Sequence, residues 1–159
     1  QDFSDLVRYV MANPFITNVM IRHANEDPHG KLINYPQFVG LFGKVELPAV
    51  NWSAVAVFAT VIAPADMTVR LMVGSKTDYT IMIRNPDSKD PGSSTISQVD
   101  GKGSKINASP DQSSVEVKLR KGENSLIFQT KSTGKGDALY LRFHDPDRKL
   151  RYVEAPAAK

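Results

Sequence analysis

The chain has 159 residues, a formal net charge of +3 and no cysteine. That length fits one domain able to bury about 70% of its unfolded surface, and the missing thiols exclude disulfides, zinc ribbons, iron–sulfur ligation, thiolate nucleophiles and covalent c-type haem attachment within it. No apolar run approaches the roughly 20 residues that span a bilayer, and Lys102, Lys105, Lys118, Arg120 and Lys121 interleave with Asp100, Asp111, Glu116 and Glu123, which argues against the one-sided cationic face of a nucleic-acid binder.

Residues 2–12 predict a short helix. Phe3, Leu6, Val7 and Val10 fall on one stripe, Asp2 and Asp5 suit the positive end of the helix dipole, and Asn13-Pro14 stops it. The polar, acidic opening contains no signal peptide, and Gln1 in place of an initiator Met leads us to expect a chain processed or cut from something longer. From Phe15 the period becomes two. Ile16, Asn18, Met20 and Arg22 alternate against Phe15, Thr17, Val19 and Ile21, a strand pattern. Asn25-Glu26-Asp27-Pro28-His29-Gly30 has loop composition. Residues 38–47 predict a second strand, with Gly40 and Gly43 as bulge positions.

The strongest strand signals follow at 54–62, 67–73 and 79–83, separated by Ala63-Pro64 and by a turn over 74–78. Residues 85–112 are rich in Pro, Gly, Ser, Asn and Asp, with Thr95-Ile96-Ser97-Gln98-Val99 as an edge strand inside the segment. A polar stretch of that length in a compact domain is functional or disordered. Residues 115–120 alternate fully, and Lys121-Gly122-Glu123-Asn124 has the length of a hairpin turn leading to a partner strand at 125–130. A turn at 133–136, a strand at 138–143 and a short one at Leu150, Tyr152 and Val153 complete the series. About eight to ten short strands with turn signals every 8–12 residues and no long helical pattern predict an all-β fold: an antiparallel β-sandwich, jelly-roll-like, with one short N-terminal helix. The expected organisation is a helix and linker over 1–14, the sandwich over 15–154 and a tail over 155–159.

Few residues carry a chemical signal. His23, His29 and His144 show neither HxH nor HxxxH spacing, so they read as turn and strand-end histidines rather than ligands. Asn85, Asp87 and Asp90 offer oxygen atoms to a structural calcium ion, and they equally suit a turn. There is no Gly-x-Ser-x-Gly elbow, no P-loop and no dinucleotide fingerprint, and Gly101-Lys102-Gly103 is not followed by a helix that would bind phosphate. No catalytic residue, no resident cofactor and no enzyme activity are therefore expected. Sandwich modules bind glycans by stacking sugar faces on aromatic rings aided by polar side chains. The candidates are Trp52, Tyr79, Tyr140 and Arg142, with core packing favoured over a stacking platform for Trp52.

Three stretches carry a resemblance: 59–75, 115–128 with Lys121-Gly122-Glu123-Asn124 at its centre, and Leu139-Tyr140-Leu141-Arg142-Phe143-His144-Asp145-Pro146-Asp147. Together they resemble a β-sandwich module of large secreted proteins of planctomycete-type bacteria, similar to carbohydrate-binding modules and accompanying haem-binding, dehydrogenase-like or hydrolase domains. The opening 2–11 is similar to the last helix of a c-type cytochrome domain. Where such modules run through Asp-Asp-Gly into a Trp-Leu-Asn-Gly turn, this chain has 76–85 and lacks that glycine and tryptophan. The resemblance implies a non-catalytic binding or docking module, periplasmic or extracellular, whose partner is a glycan or a protein. The alternative is a structural accessory subunit of a larger assembly, one linked to electron transfer.

Overall fold

The alternation of apolar side chains becomes two facing antiparallel sheets in the computed structural model, which describes residues 18–24, 32–40, 43–49, 51–85, 95–133 and 137–153. Numbered in chain order, the larger sheet runs β2 (Leu32–Phe38), β1 (Asn18–Ala24), β4 (Asn51–Ala63), β9 (Gly122–Thr133), β6 (Tyr79–Arg84) and β7 (Thr95–Gly101). Its seventh strand, β11 (Arg151–Val153), pairs with Thr60, Val61 and Ile62 of β4, beyond the stretch that β1 occupies. The smaller sheet runs β3 (Lys44–Glu46), β10 (Ala138–His144), β5 (Met67–Gly74) and β8 (Ser113–Leu119). The β-sandwich predicted from period-two patterning is the observed architecture.

Burial follows the alternation most cleanly in β4 and β5. In β4, Val55, Val57, Ala59 and Val61 are buried while Ala56, Phe58, Thr60 and Ile62 face outward. In β5, Val69, Leu71 and Val73 point inward and Thr68 and Arg70 outward. Register joins these positions into layers: Val69 pairs with Val117, and Leu71 with both Val115 and Phe143. Against them stand Leu126, Phe128, Ile81 and Ile83 from the larger sheet, in one continuous core. Tyr79 stacks on Phe128 within it, with ring centroids 5.0 Å apart.

Three expectations are corrected. The pair 115–120 and 125–130 is not a hairpin: β8 pairs with β5, whereas β9 pairs with β4 and β6. Val117 and Leu119 must face Leu126 and Phe128 across the core, and a hairpin would set all four in one sheet. The turn itself is real and carries the chain from sheet to sheet. The buried Asn124 side chain accepts from the Arg120 N–H (2.9 Å) and donates to the Arg120 and Gly122 carbonyls (2.8 and 3.0 Å). Crossing is the rule, since only β1–β2 and β6–β7 are consecutive strands that share a sheet. Second, the strand expected over 38–47 is split. β2 ends at Phe38 and β3 begins at Lys44, so Gly40 and Gly43 form a turn rather than bulges, with Gly43 at φ +81. Third, β2 itself escaped the pattern because Pro36 sits in its middle; as an edge strand it tolerates the missing donor. Thr95-Ile96-Ser97-Gln98-Val99 is an edge strand as expected, within β7. The helix predicted over 2–12 and the tail over 155–159 lie outside the described residues.

Candidate functional site

Two loops meet at one end of the sandwich. The turn 75–78 leaves β5 for β6, and the segment 102–112 leaves β7 for β8. Backbone hydrogen bonds fasten them together: Ser104 N–H to the Ser75 carbonyl (2.9 Å) and Lys105 N–H to the Lys76 carbonyl (3.1 Å). Gly103 N–H donates to the Asp78 carboxylate at 2.8 Å. A side chain at Gly103 would not fit, since its Cβ would lie 2.3 Å from the Lys76 carbonyl oxygen. The loops are also tied to the larger sheet, because the Thr130 hydroxyl donates to the Asp78 carbonyl (2.9 Å) and meets the Thr77 hydroxyl.

Below this crest lies an open groove of about 650 Å³, within the size range of small-ligand sites. Lys76, Thr77, Asp78 and Lys105 form its loop wall, and Ala54, Thr80, Gln129 and Lys131 form its floor on the outer face of the larger sheet. Asp78 is the one carboxylate lining it among the described residues. The Gly103 N–H holds that carboxyl below the usual aspartate range, with the positive charges of Lys102 and Lys105 adding to the effect. It is thus ionised at neutral pH and committed to the loop clamp; two other carboxylates among the described residues hold groove side chains, Asp100 accepting from the Thr80 hydroxyl at 2.8 Å and Asp137 facing Lys76 at 3.9 Å.

The sign of the resulting pH effect follows from that depression. Asp78 contributes to stability in full above the ordinary value of 3.8 and loses its contribution as pH falls through the lower folded value. An NMR titration is expected to show the Asp78 carboxyl with a midpoint below that of Asp78 in the urea-unfolded chain. Equal midpoints would mean that the clamp does not hold in solution.

The four ligand candidates read from the sequence do not converge. Tyr79 is 5% exposed; its ring lies in the core, its hydroxyl reaches Ser113 at 3.2 Å, and it offers no open face for stacking. Core packing wins here because Tyr79 occupies an inward position of β6, alongside Ile81 and Ile83. Tyr140 and Arg142 lie on the outer side of the smaller sheet, alternate to the buried Leu139, Leu141 and Phe143. Arg142 is itself buried, held by Asp111 through two bonds, Nε to Oδ1 at 2.9 Å and a terminal nitrogen to Oδ2 at 2.8 Å. Trp52 belongs to β4 on the other sheet, at an irregularity in the pairing with β9 between Asn51 and Ala54. Its chain position is next to the floor of the groove, two residues from Ala54. Of the calcium candidates, Asn85 directly follows β6, and Asp87 and Asp90 lie outside the described residues. No cluster of three His, Asp or Glu residues able to hold a metal occurs among the described residues.

Sequence reasoning missed Lys105, Gln129 and Lys131 as groove residues. Lys105 did carry a faint signal, standing in Gly101-Lys102-Gly103-Ser104-Lys105. Gln129 and Lys131 are outward positions of β9 that only the fold brings beside a loop 50 residues away in the chain of crossings between sheets.

No protein-family profile and no curated protein matches the chain. Among solved structures it is similar to a family 35 carbohydrate-binding module from an environmental isolate, at 15% identity and a TM-score of 0.39, over 72% of this chain and 80% of the other. It is also similar to a β-glucosidase from Kluyveromyces marxianus in complex with glucose, at 7% identity and a TM-score of 0.41, over 87% of this chain and 16% of that enzyme. At these levels neither likeness assigns a family, and the architecture rests on the strand pairing of the chain itself.

Proposed function

We propose that this chain is a non-catalytic, extracytoplasmic binding module that holds a glycan in the groove beneath the clamped loops 75–78 and 102–105. The observation that supports the reading most is the groove itself: a pre-formed, open trough with Lys, Thr and Gln side chains along it and, among the described residues lining it, one carboxylate, which is tied into the wall. Such a trough offers hydrogen-bond donors to a polyol without a pair of groups placed for bond cleavage.

A second reading, an accessory subunit in a larger assembly, is favoured by a different observation. On the outer face of the larger sheet, register sets Pro36, Met20, Phe58, Ile127 and Met82 side by side across five strands. The guanidinium of Arg22 lies over the Phe58 ring, 4.9 Å from its centroid. Ile127 is buried and the other four are half-buried, so a protein partner would extend an apolar row that is already partly covered.

Two measurements test the readings in turn. Trp52 is the only tryptophan, and its fluorescence is expected to shift when a groove-binding oligosaccharide is added. Silence across a broad glycan panel, confirmed by calorimetry, would sink the glycan reading. Light scattering on material from the native source then decides the other: a companion protein in the measured mass supports the assembly, and a lone monomer rejects it.

A further inference from the structure

The charge of the groove is unbalanced, and the imbalance bears on what it holds. Lys76 is answered by Asp137 at 3.9 Å, and Asp78 by Lys102 at 3.6 Å. Lys105 feels the Asp78 carboxylate, which Lys102 already answers, without a direct ion pair to it, and the ammonium group of Lys131 has no hydrogen-bond or ion-pair partner among the described residues. Two exposed cations therefore border one trough, from opposite sides: Lys105 on the loop wall, Lys131 on the sheet floor beside Ala54.

Their placement is built in rather than incidental. Lys105 has a left-handed backbone, φ +62, which a residue with a Cβ adopts only when its surroundings impose it. The surroundings here are the two backbone hydrogen bonds to Ser75 and Lys76 and the close approach of Gly103 to the same turn. Lys131 is set by the β4–β9 register, which pairs it with Ala54. The Gln129 amide of the same groove, again without a partner among the described residues, is able both to donate to and to accept from a hydroxyl.

We infer that the ligand of this groove is an anionic saccharide, one carrying carboxylate or sulfate groups on its rings. Ammonium groups attract such anions and donate hydrogen bonds to them, and the Thr80 hydroxyl and Gln129 amide on an otherwise largely apolar floor serve the hydroxyls that a simple inorganic anion lacks. Single-stranded nucleic acid shares the charge but needs exposed aromatic rings for its bases, and Tyr79, the one aromatic residue lining the groove among the described residues, is packed into the core. This inference rests on the glycan-binding reading above.

The test uses the full chain, calorimetry and Trp52 fluorescence with four probes of similar length: oligogalacturonate, a heparin-derived oligosaccharide, xylohexaose and maltohexaose. Oligogalacturonate or the heparin fragment is expected to bind at least tenfold more tightly than either neutral sugar. That preference should shrink as added salt shortens the screening length from about 10 Å at 0.1 M. The double variant Lys105→Gln/Lys131→Gln is expected to lose about tenfold in affinity for the anionic probe while melting as the parent does. A control pair away from the groove, Lys118→Gln/Lys149→Gln, should bind like the parent. Tighter binding of the neutral sugars overturns the charge inference and leaves the glycan reading standing; silence with all four probes rejects both. Equal losses in the groove and control variants would reduce the attraction to overall charge and also overturn the inference.

Discussion

Replacing Asp111 with alanine is expected to destabilise the fold by about 3 kcal/mol, measured as the shift in urea unfolding. Arg142 is 6% exposed and lies on the outer side of the central strand β10, where the segment 102–112 passes over it. Its guanidinium is matched by the Asp111 carboxylate in the two-bond geometry that suits arginine. Removing the carboxylate leaves a buried cation without this counter-charge, the costly way to break such a pair. Asp111 itself is partly open, with its side chain 30% exposed, so water offsets some of the loss. Backbone conformation is a separate term, because Asp111 has φ +59. Asn tolerates that region better than Ala, so Asp111→Asn isolates the loss of charge and should cost less than Asp111→Ala. Adding Arg142→Met to the alanine variant should recover part of the stability by removing the buried charge. A change below about 0.5 kcal/mol in Asp111→Ala would show that the pair does not hold this segment to the sheet.

Phe128→Ala is expected to cost about 3–5 kcal/mol, a fall in Tm of roughly 6–20 °C for a domain of this size. Phe128 is fully buried on the central strand β9, paired with Val57 on one side and Ile81 on the other, with Tyr79 stacked on its ring. Those neighbours belong to a rigid hydrogen-bonded sheet and cannot collapse into the space left by a ring. The matching substitution on the outer face, Phe58→Ala, removes a half-buried ring with water beside it and should cost clearly less in the same thermal melt. Equal losses at the two positions would contradict the assignment of the inner and outer faces.

The two pairs of residues also mark where the sequence could be read and where it could not. Phe128 lies in the apolar run Leu126-Ile127-Phe128, where the sequence marks a buried strand but the pleat alone does not separate inner from outer face; in 67–73 and 115–120 the alternation is clean and local. Leu71 and Val117 there, and Leu141 in 138–143, were legible as inward, and with them the sandwich as a class. Arg142 was legible only as a polar residue on a strand. Its burial depends on a segment that begins at the far edge of the other sheet, and nothing near it in the chain announces Asp111. Tyr79 shows the same limit from the opposite direction: an aromatic next to a turn suggested an exposed ring, yet strand parity and Phe128 draw it inside.

What the amino-acid order determined alone was therefore the position of most strands, the inward faces of the cleanly alternating ones and the turns between them, since each follows from contacts within one strand or one turn. Partner choice was left to the tertiary structure. An alternating strand such as β8 has one apolar face and two unsatisfied edges, and either neighbour in the chain can fill them. Only the requirement that two sheets cover each other decided that β8 joins β5 and β9 joins β4 and β6. The groove exists as a consequence of that decision, because it is assembled from strands and loops that pairing brings together and that no local pattern connects.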